Sequence, residues 1–278
     1  MAYKDLHDEP FDEGTKAKLE IFEDYAQAWI PTFVMSGATL ICIFDFFAGT
    51  GYDKNGVAGS PIRILQKISD HIGHIFQKGV KVKVFLNEFE PIKKEQLKFQ
   101  MLKEACEKYL DSNKSLRNVV EIVYYNEDCE TLFPKLISTI RQYPALVYLD
   151  QNGVKFLADK YLLELEKARQ TDFLYFVSSS FFKRFGDSKE FQSHLEVDIE
   201  EVKQSPYKFI HRLVLDYLRK RLPPYSKLKL YPFSIKKGTN IYGIIFGASH
   251  PRAVDKFLSV VWKKNEKNGE ANFDIDED

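Results

Sequence analysis

Along most of the chain, short apolar runs alternate with longer stretches whose apolar residues recur every three or four positions. Leu19, Phe22, Ala26 and Trp29 carry the helical spacing over residues 15–29, and Pro31 is expected to end that helix. A strand is predicted at 39–45, then a glycine-rich turn and a helix at 61–77. Val80 to Leu86 alternates like a strand, a charged helix covers 91–110, and Val119 to Tyr125 reads as a third strand. A short helix at 130–142 precedes Ala145 to Leu149, an unbroken apolar run of the kind a strand buried on both faces requires. A helix at 155–169 and a strand from Phe173 to Val177 follow. Such alternation implies a parallel sheet with helices on both faces.

The C-terminal third changes character. A helix at 205–221 leads to two strands, Leu228 to Ile235 and Ile241 to Phe246, joined by Lys-Lys-Gly-Thr-Asn as a hairpin, and a last helix covers 251–263. The expected fold is therefore α/β and Rossmann-like: a mostly parallel seven-stranded sheet with an antiparallel C-terminal hairpin. One domain is expected over residues 1–265, with 1–35 a helical extension and 266–278 a disordered acidic tail.

Composition narrows the class. Forty basic and forty acidic residues give a formal net charge of zero, so no global field draws the chain to nucleic acid or membrane. Cys42, Cys106 and Cys129 show no paired spacing and fit a reducing compartment. The acidic N-terminus (Asp5, Asp8, Glu9) does not read as a signal peptide. No apolar run approaches the roughly 18 residues of a membrane helix. A cytoplasmic protein is expected.

The candidate chemistry gathers at strand ends. Leu40 to Gly51 runs from an apolar strand through Asp45 and Phe47 into a turn at Gly49 and Gly51, and Gly59-Ser60-Pro61 starts the next helix. Glycine allows positive φ and close approach of a ligand to the main chain. Ser60 is expected to cap the helix, with Pro61 at its first position. Four successive strands end in acids: Asp45, Glu88, Asp128 and Asp150. In an open α/β sheet those ends face the ligand crevice. Glu88 suits ribose hydroxyls and Asp128 an adenine amine. A single carboxylate at such a place can also cap the helix after its strand, a reading harder to apply to all four together. A nicotinamide dinucleotide would use the same ribose carboxylate, but Gly-Thr-Gly is followed by Tyr52-Asp53 rather than completing GxGxxG.

Asp45-Phe-Phe-Ala-Gly-Thr-Gly51 resembles the DxFxGxG motif of class I S-adenosylmethionine (SAM)-dependent methyltransferases. With Gly59-Ser60-Pro61, Val147-Tyr-Leu-Asp-Gln-Asn-Gly153, Ile244-Ile-Phe-Gly-Ala-Ser-His250 and Val260-Val-Trp262, the chain is similar to the three-Cys-motif partner (TcmP) family. The resemblance implies a methyltransferase-like sheet, SAM as cofactor, and a radical-SAM-like three-cysteine protein as partner. It makes Asp45, Gly49, Gly51, Glu88 and Asp128 cofactor contacts, and Phe47 and Ser60 of the same turn complete the cofactor-binding candidates. Where amino-directed DNA methyltransferases carry Asp/Asn-Pro-Pro-aromatic, this chain has Asp150-Gln151-Asn152-Gly153. Asp150 can still act as a base, and Gln151 and Asn152 can read a base edge. Modification of a nucleic acid is the expected activity; the alternative is a non-catalytic SAM-binding partner or regulator in a mobile-element or defence system.

Substrate candidates are basic. Between Ser205 and Gly238, nine cations including Arg219, Arg221 and Lys236 are interleaved with aromatics, a pattern suited to phosphates and stacked bases, or to a solvated helix face and a protected sheet edge. Lys183 and Arg184, after the fifth strand, form a second candidate rim. His71 and His74 lie one turn apart without a third ligand, and no metal is expected.

Overall fold

The structure, a computed structural model, describes residues 10–90, 97–151, 157–178, 207–237 and 240–264. Seven strands form one sheet: β1 (Leu40–Asp45), β2 (Lys81–Asn87), β3 (Val120–Tyr125), β4 (Ala145–Leu149), β5 (Thr171–Ser178), β6 (Lys229–Lys237) and β7 (Asn240–Ala248). Their order is β3-β2-β1-β4-β5-β7-β6. β1 pairs in parallel with β2 and β4, and β2 with β3, while β7 runs antiparallel to both β5 and β6. This is the expected Rossmann-like, mostly parallel α/β sheet with its antiparallel terminal hairpin. Contacts divide the chain into two compact units, residues 1–148 and 149–278.

In the first unit, β1 is central and apolar throughout because neighbours flank it; Ile41 to Asp45 are all buried. Helix α1 (Glu13–Met35) starts at Asp12, whose side chain accepts from the Thr15 N–H, and buries Phe22 in a stack on Tyr148 with ring centroids 4.1 Å apart. Pro31 does not end this helix, contrary to the expectation above. Proline removes the N–H that would bond the carbonyl four residues back, here that of Gln27. The Nε2 of His71 lies 3.1 Å from that carbonyl and supplies the missing donor. His71 also divides the helix expected at 61–77 into α2 (Ser60–Asp70) and α3 (Ile72–Lys78). Helices α4 (Leu97–Ser112) and α5 (Cys129–Gln142) complete the unit.

In the second unit, α6 (Asp159–Glu166) is shorter than expected, and α7 (Tyr207–Arg221) and α8 (Pro251–Trp262) accompany β5 to β7. Pro232 lies in β6, the last strand of the order, where a missing ladder donor is tolerated. The Phe257 ring of α8 stacks on Phe246 at 4.3 Å. On α7, His211 passes so close to Gly243 that a Cβ there would stand 2.2 Å from the histidine Cβ. The tail at 266–278 lies outside the described residues.

Candidate functional site

Asp45, at the end of β1, is buried and pins both ends of the turn. Its Oδ1 accepts the Phe47 N–H at 3.1 Å and its Oδ2 accepts the Ser60 hydroxyl at 2.6 Å. Ser60 therefore does not cap α2 as expected; Gly59 occupies that position without a side chain, and Pro61 stands in the first turn. Gly49 and Gly51 take φ of 66° and 89°. A Cβ on Gly51 would stand 2.7 Å from that of Ala105 on α4, so this turn can approach the helix only with glycine there. The Gly49 N–H donates at 2.8 Å to Oε2 of Glu88, the residue after β2. The Gly59 N–H closes the turn on the Gly51 carbonyl at 2.8 Å.

Asn87 joins the ends of β1, β2 and β3. It is 2 % exposed; its Nδ2 donates to the carbonyls of Phe46 (3.1 Å) and Glu127 (3.0 Å), and its Oδ1 accepts the Glu127 N–H at 3.1 Å. Asp128, next in the chain, is the N-cap of α5 and accepts the Glu130 N–H at 2.8 Å. Glu90 is buried, with Oε2 accepting the Phe99 N–H near the start of α4 at 3.1 Å. Sequence reasoning passed over Asn87 and Glu90 because their partners are main-chain groups. It also passed over Asp53, whose signal is an acid three residues before Gly56, a turn composition.

Direct bonds thus join Asp45 with Phe47 and Ser60, and Gly49 with Glu88; Gly51 lies in the same turn and bonds Gly59, and Asp128 is linked through Asn87 and the Glu127 main chain. Asp150 follows β4 half-buried, and Gln151 is 4 % exposed. Asn152, Lys183 and Arg184 lie outside the described residues, as does the side chain of Lys236. Arg219 donates to the Leu230 carbonyl at 2.6 Å; Arg221 pairs with Asp159 at 3.4 Å and lies over the Tyr217 ring. Both arginines therefore brace α7 as well as carrying charge.

Burial pushes the Cys42 thiol up to about 12, against the partial opposition of Lys83, and burial likewise pushes Cys106 up to about 12. Neither thiol is a nucleophile near neutral pH. Among the described residues no group of three or more His, Cys, Asp or Glu side chains could hold a metal ion, and no helix is long and apolar enough to cross a membrane.

No family model and no curated protein matches the chain. Among solved structures it is similar to the O-methyltransferase TomG from Streptomyces achromogenes, solved with SAM: 10 % identity over 86 % of this chain and 90 % of that one, TM-score 0.40. It is also similar to an O-methyltransferase from Bacillus cereus, solved with SAH: 12 % identity over 86 % and 91 %, TM-score 0.39. Both likenesses are loose, and the fold class rests on the strand order itself.

Proposed function

We propose that the chain binds S-adenosylmethionine over the ends of β1 and β2 and methylates a nucleic acid. The observation that carries this reading is the bond between the Gly49 N–H and the Glu88 carboxylate. An adenosyl ligand needs acceptors for ribose hydroxyls beside a main chain it can approach closely. Glu88 supplies the first and the glycine turn the second. Asp45 and Ser60 hold the turn, and Asp128 accepts from the adenine amine. Once bound, the sulfonium supplies an electrophilic methyl group. Asp150 is the group that takes the proton from the attacking atom. The last turn of α7, with Arg219, Lys220 and Arg221, faces the phosphates, and binding should fall steeply with salt.

A second reading has its own support. Gln151 is sealed from solvent, and Asp150 to Gly153 carry neither a proline pair nor an aromatic, as a non-catalytic partner of a radical-SAM-like protein would allow. Transfer of radiolabelled methyl from SAM to DNA and RNA separates the two. Transfer by the wild type, reduced on the order of 100-fold in Asp150→Ala, is expected of the enzyme. SAM binding without transfer to either nucleic acid would favour the partner.

A further inference from the structure

We infer that Asp53 is a positioning residue for the cofactor turn, holding residues 49–59 in place by tying them to the chain segment ahead of α1. The inference rests on the cofactor reading above. Asp53 is 7 % exposed, and its hydrogen bonds go to main-chain donors. Oδ1 accepts the N–H groups of Asn55 at 2.9 Å and Val57 at 2.7 Å, which folds the turn on itself. Oδ2 accepts the Phe11 N–H at 2.8 Å, from a residue 42 positions away. Burial alone would raise this carboxyl; the N–H groups of Phe11, Val57 and Asn55 outweigh it and hold the carboxyl below the usual range.

A second grip lies beside the first. The Phe11 ring is 3.7 Å from where a Cβ on Gly59 would stand. Arg63, in the first turn of α2, donates from Nε to the Ala58 carbonyl at 2.8 Å and pairs through Nη1 with Glu23 of α1. Residues 57–59 are therefore fixed from the N-terminal side. The bond from the Gly59 N–H to the Gly51 carbonyl passes that constraint to the glycine turn, whose far side meets Glu88 through Gly49.

The carboxylate is specific to the task because it has acceptors on both oxygens. Asp53→Asn leaves one oxygen for Asn55 and Val57 and turns an amide NH2 toward the Phe11 N–H, so it unties the N-terminal segment alone. Asp53→Ala unties both. Hydrogen exchange and SAM calorimetry on the whole chain read the two effects separately. In Asp53→Asn, exchange at residues 49–59 should accelerate about tenfold and SAM affinity fall about tenfold, while the amides of β1 to β3 exchange as in the wild type. Asp53→Ala should do more of both. Wild-type exchange across the turn, or faster exchange there with unchanged affinity, would overturn the positioning role. So would equal acceleration in turn and strands with a lowered thermal midpoint, which marks a residue that merely stabilises the unit. Absence of SAM heat in the wild type would sink the cofactor reading alone, and the exchange measurement would still decide whether Asp53 holds the turn.

Discussion

The Glu88 carboxylate accepts the Gly49 N–H at 2.8 Å, so a side chain 39 positions away in sequence orders the glycine turn and, in the proposed reading, also meets the ribose. Glu88→Gln keeps the shape and removes the charge. Charge-assisted hydrogen bonds contribute about 1.5–3 kcal/mol, so SAM affinity should fall roughly 10- to 150-fold by calorimetry. An affinity within about twofold of wild type would remove Glu88 from the site. At this scale the sequence was legible where chemistry sits at a strand end: Asp45 holds Phe47 and Ser60 at the two ends of the turn, and Glu88 holds Gly49 within it. It was not legible where a side chain's partner lies far off in the sequence. Ser60 donates to Asp45 instead of capping α2, and Asn87 and Asp53 bond backbone groups that local pattern does not bring near.

Strand and helix periods located the elements of the sheet well, because apolar runs must be buried on both faces. The failures came where a tertiary contact overrides a local rule. Pro31 lies inside α1 because His71 replaces the lost donor to Gln27. His71→Ala should therefore cost about 1 kcal/mol in urea unfolding. In a Pro31→Ala background the alanine N–H can take the Gln27 carbonyl, and the cost should shrink toward zero. Simple additivity of the two substitutions would contradict this account of the helix. His211 makes a prediction on α7. It is fully buried with neither ring nitrogen hydrogen-bonded, and burial, with Arg212 adding to it, pushes its pKa down to about 3 from an ordinary 6.5. Between pH 6.5 and 3 the unfolded chain binds a proton that the folded chain does not, so stability rises with pH across that window. The slope from this one group is about 1.4 kcal/mol per pH unit. Urea unfolding at pH 6 and pH 5 should show it, and His211→Leu should flatten the dependence by that amount. An unchanged slope in the variant would mean that the imidazole titrates normally in the folded chain.

Over the whole molecule, the parallel sheet and its terminal hairpin were legible as strand-helix alternation and one hairpin signal, whereas the order β3-β2-β1-β4-β5-β7-β6, with β7 between β5 and β6, is set by tertiary pairing that the local pattern does not carry. The identity of the ligand does not follow from that order, since SAM and nicotinamide sites share a parallel sheet, a glycine turn and a ribose carboxylate. The turn from Gly49 to Gly59 is closed on itself by Asp53 and by the Gly59–Gly51 bond rather than opening a helix directly after the glycines, which supports the SAM reading proposed above. Formal neutrality likewise hides the clustered cations of α7, where charge alone does not choose between a phosphate surface and a braced helix end. In the proposed reading this turn and Glu88 hold SAM, and titration calorimetry of the wild-type chain with SAM, its demethylated product and NAD is the decisive measurement. Saturable heat with SAM and its product, and none with NAD, is the expected result; saturable heat with NAD and none with SAM would contradict it.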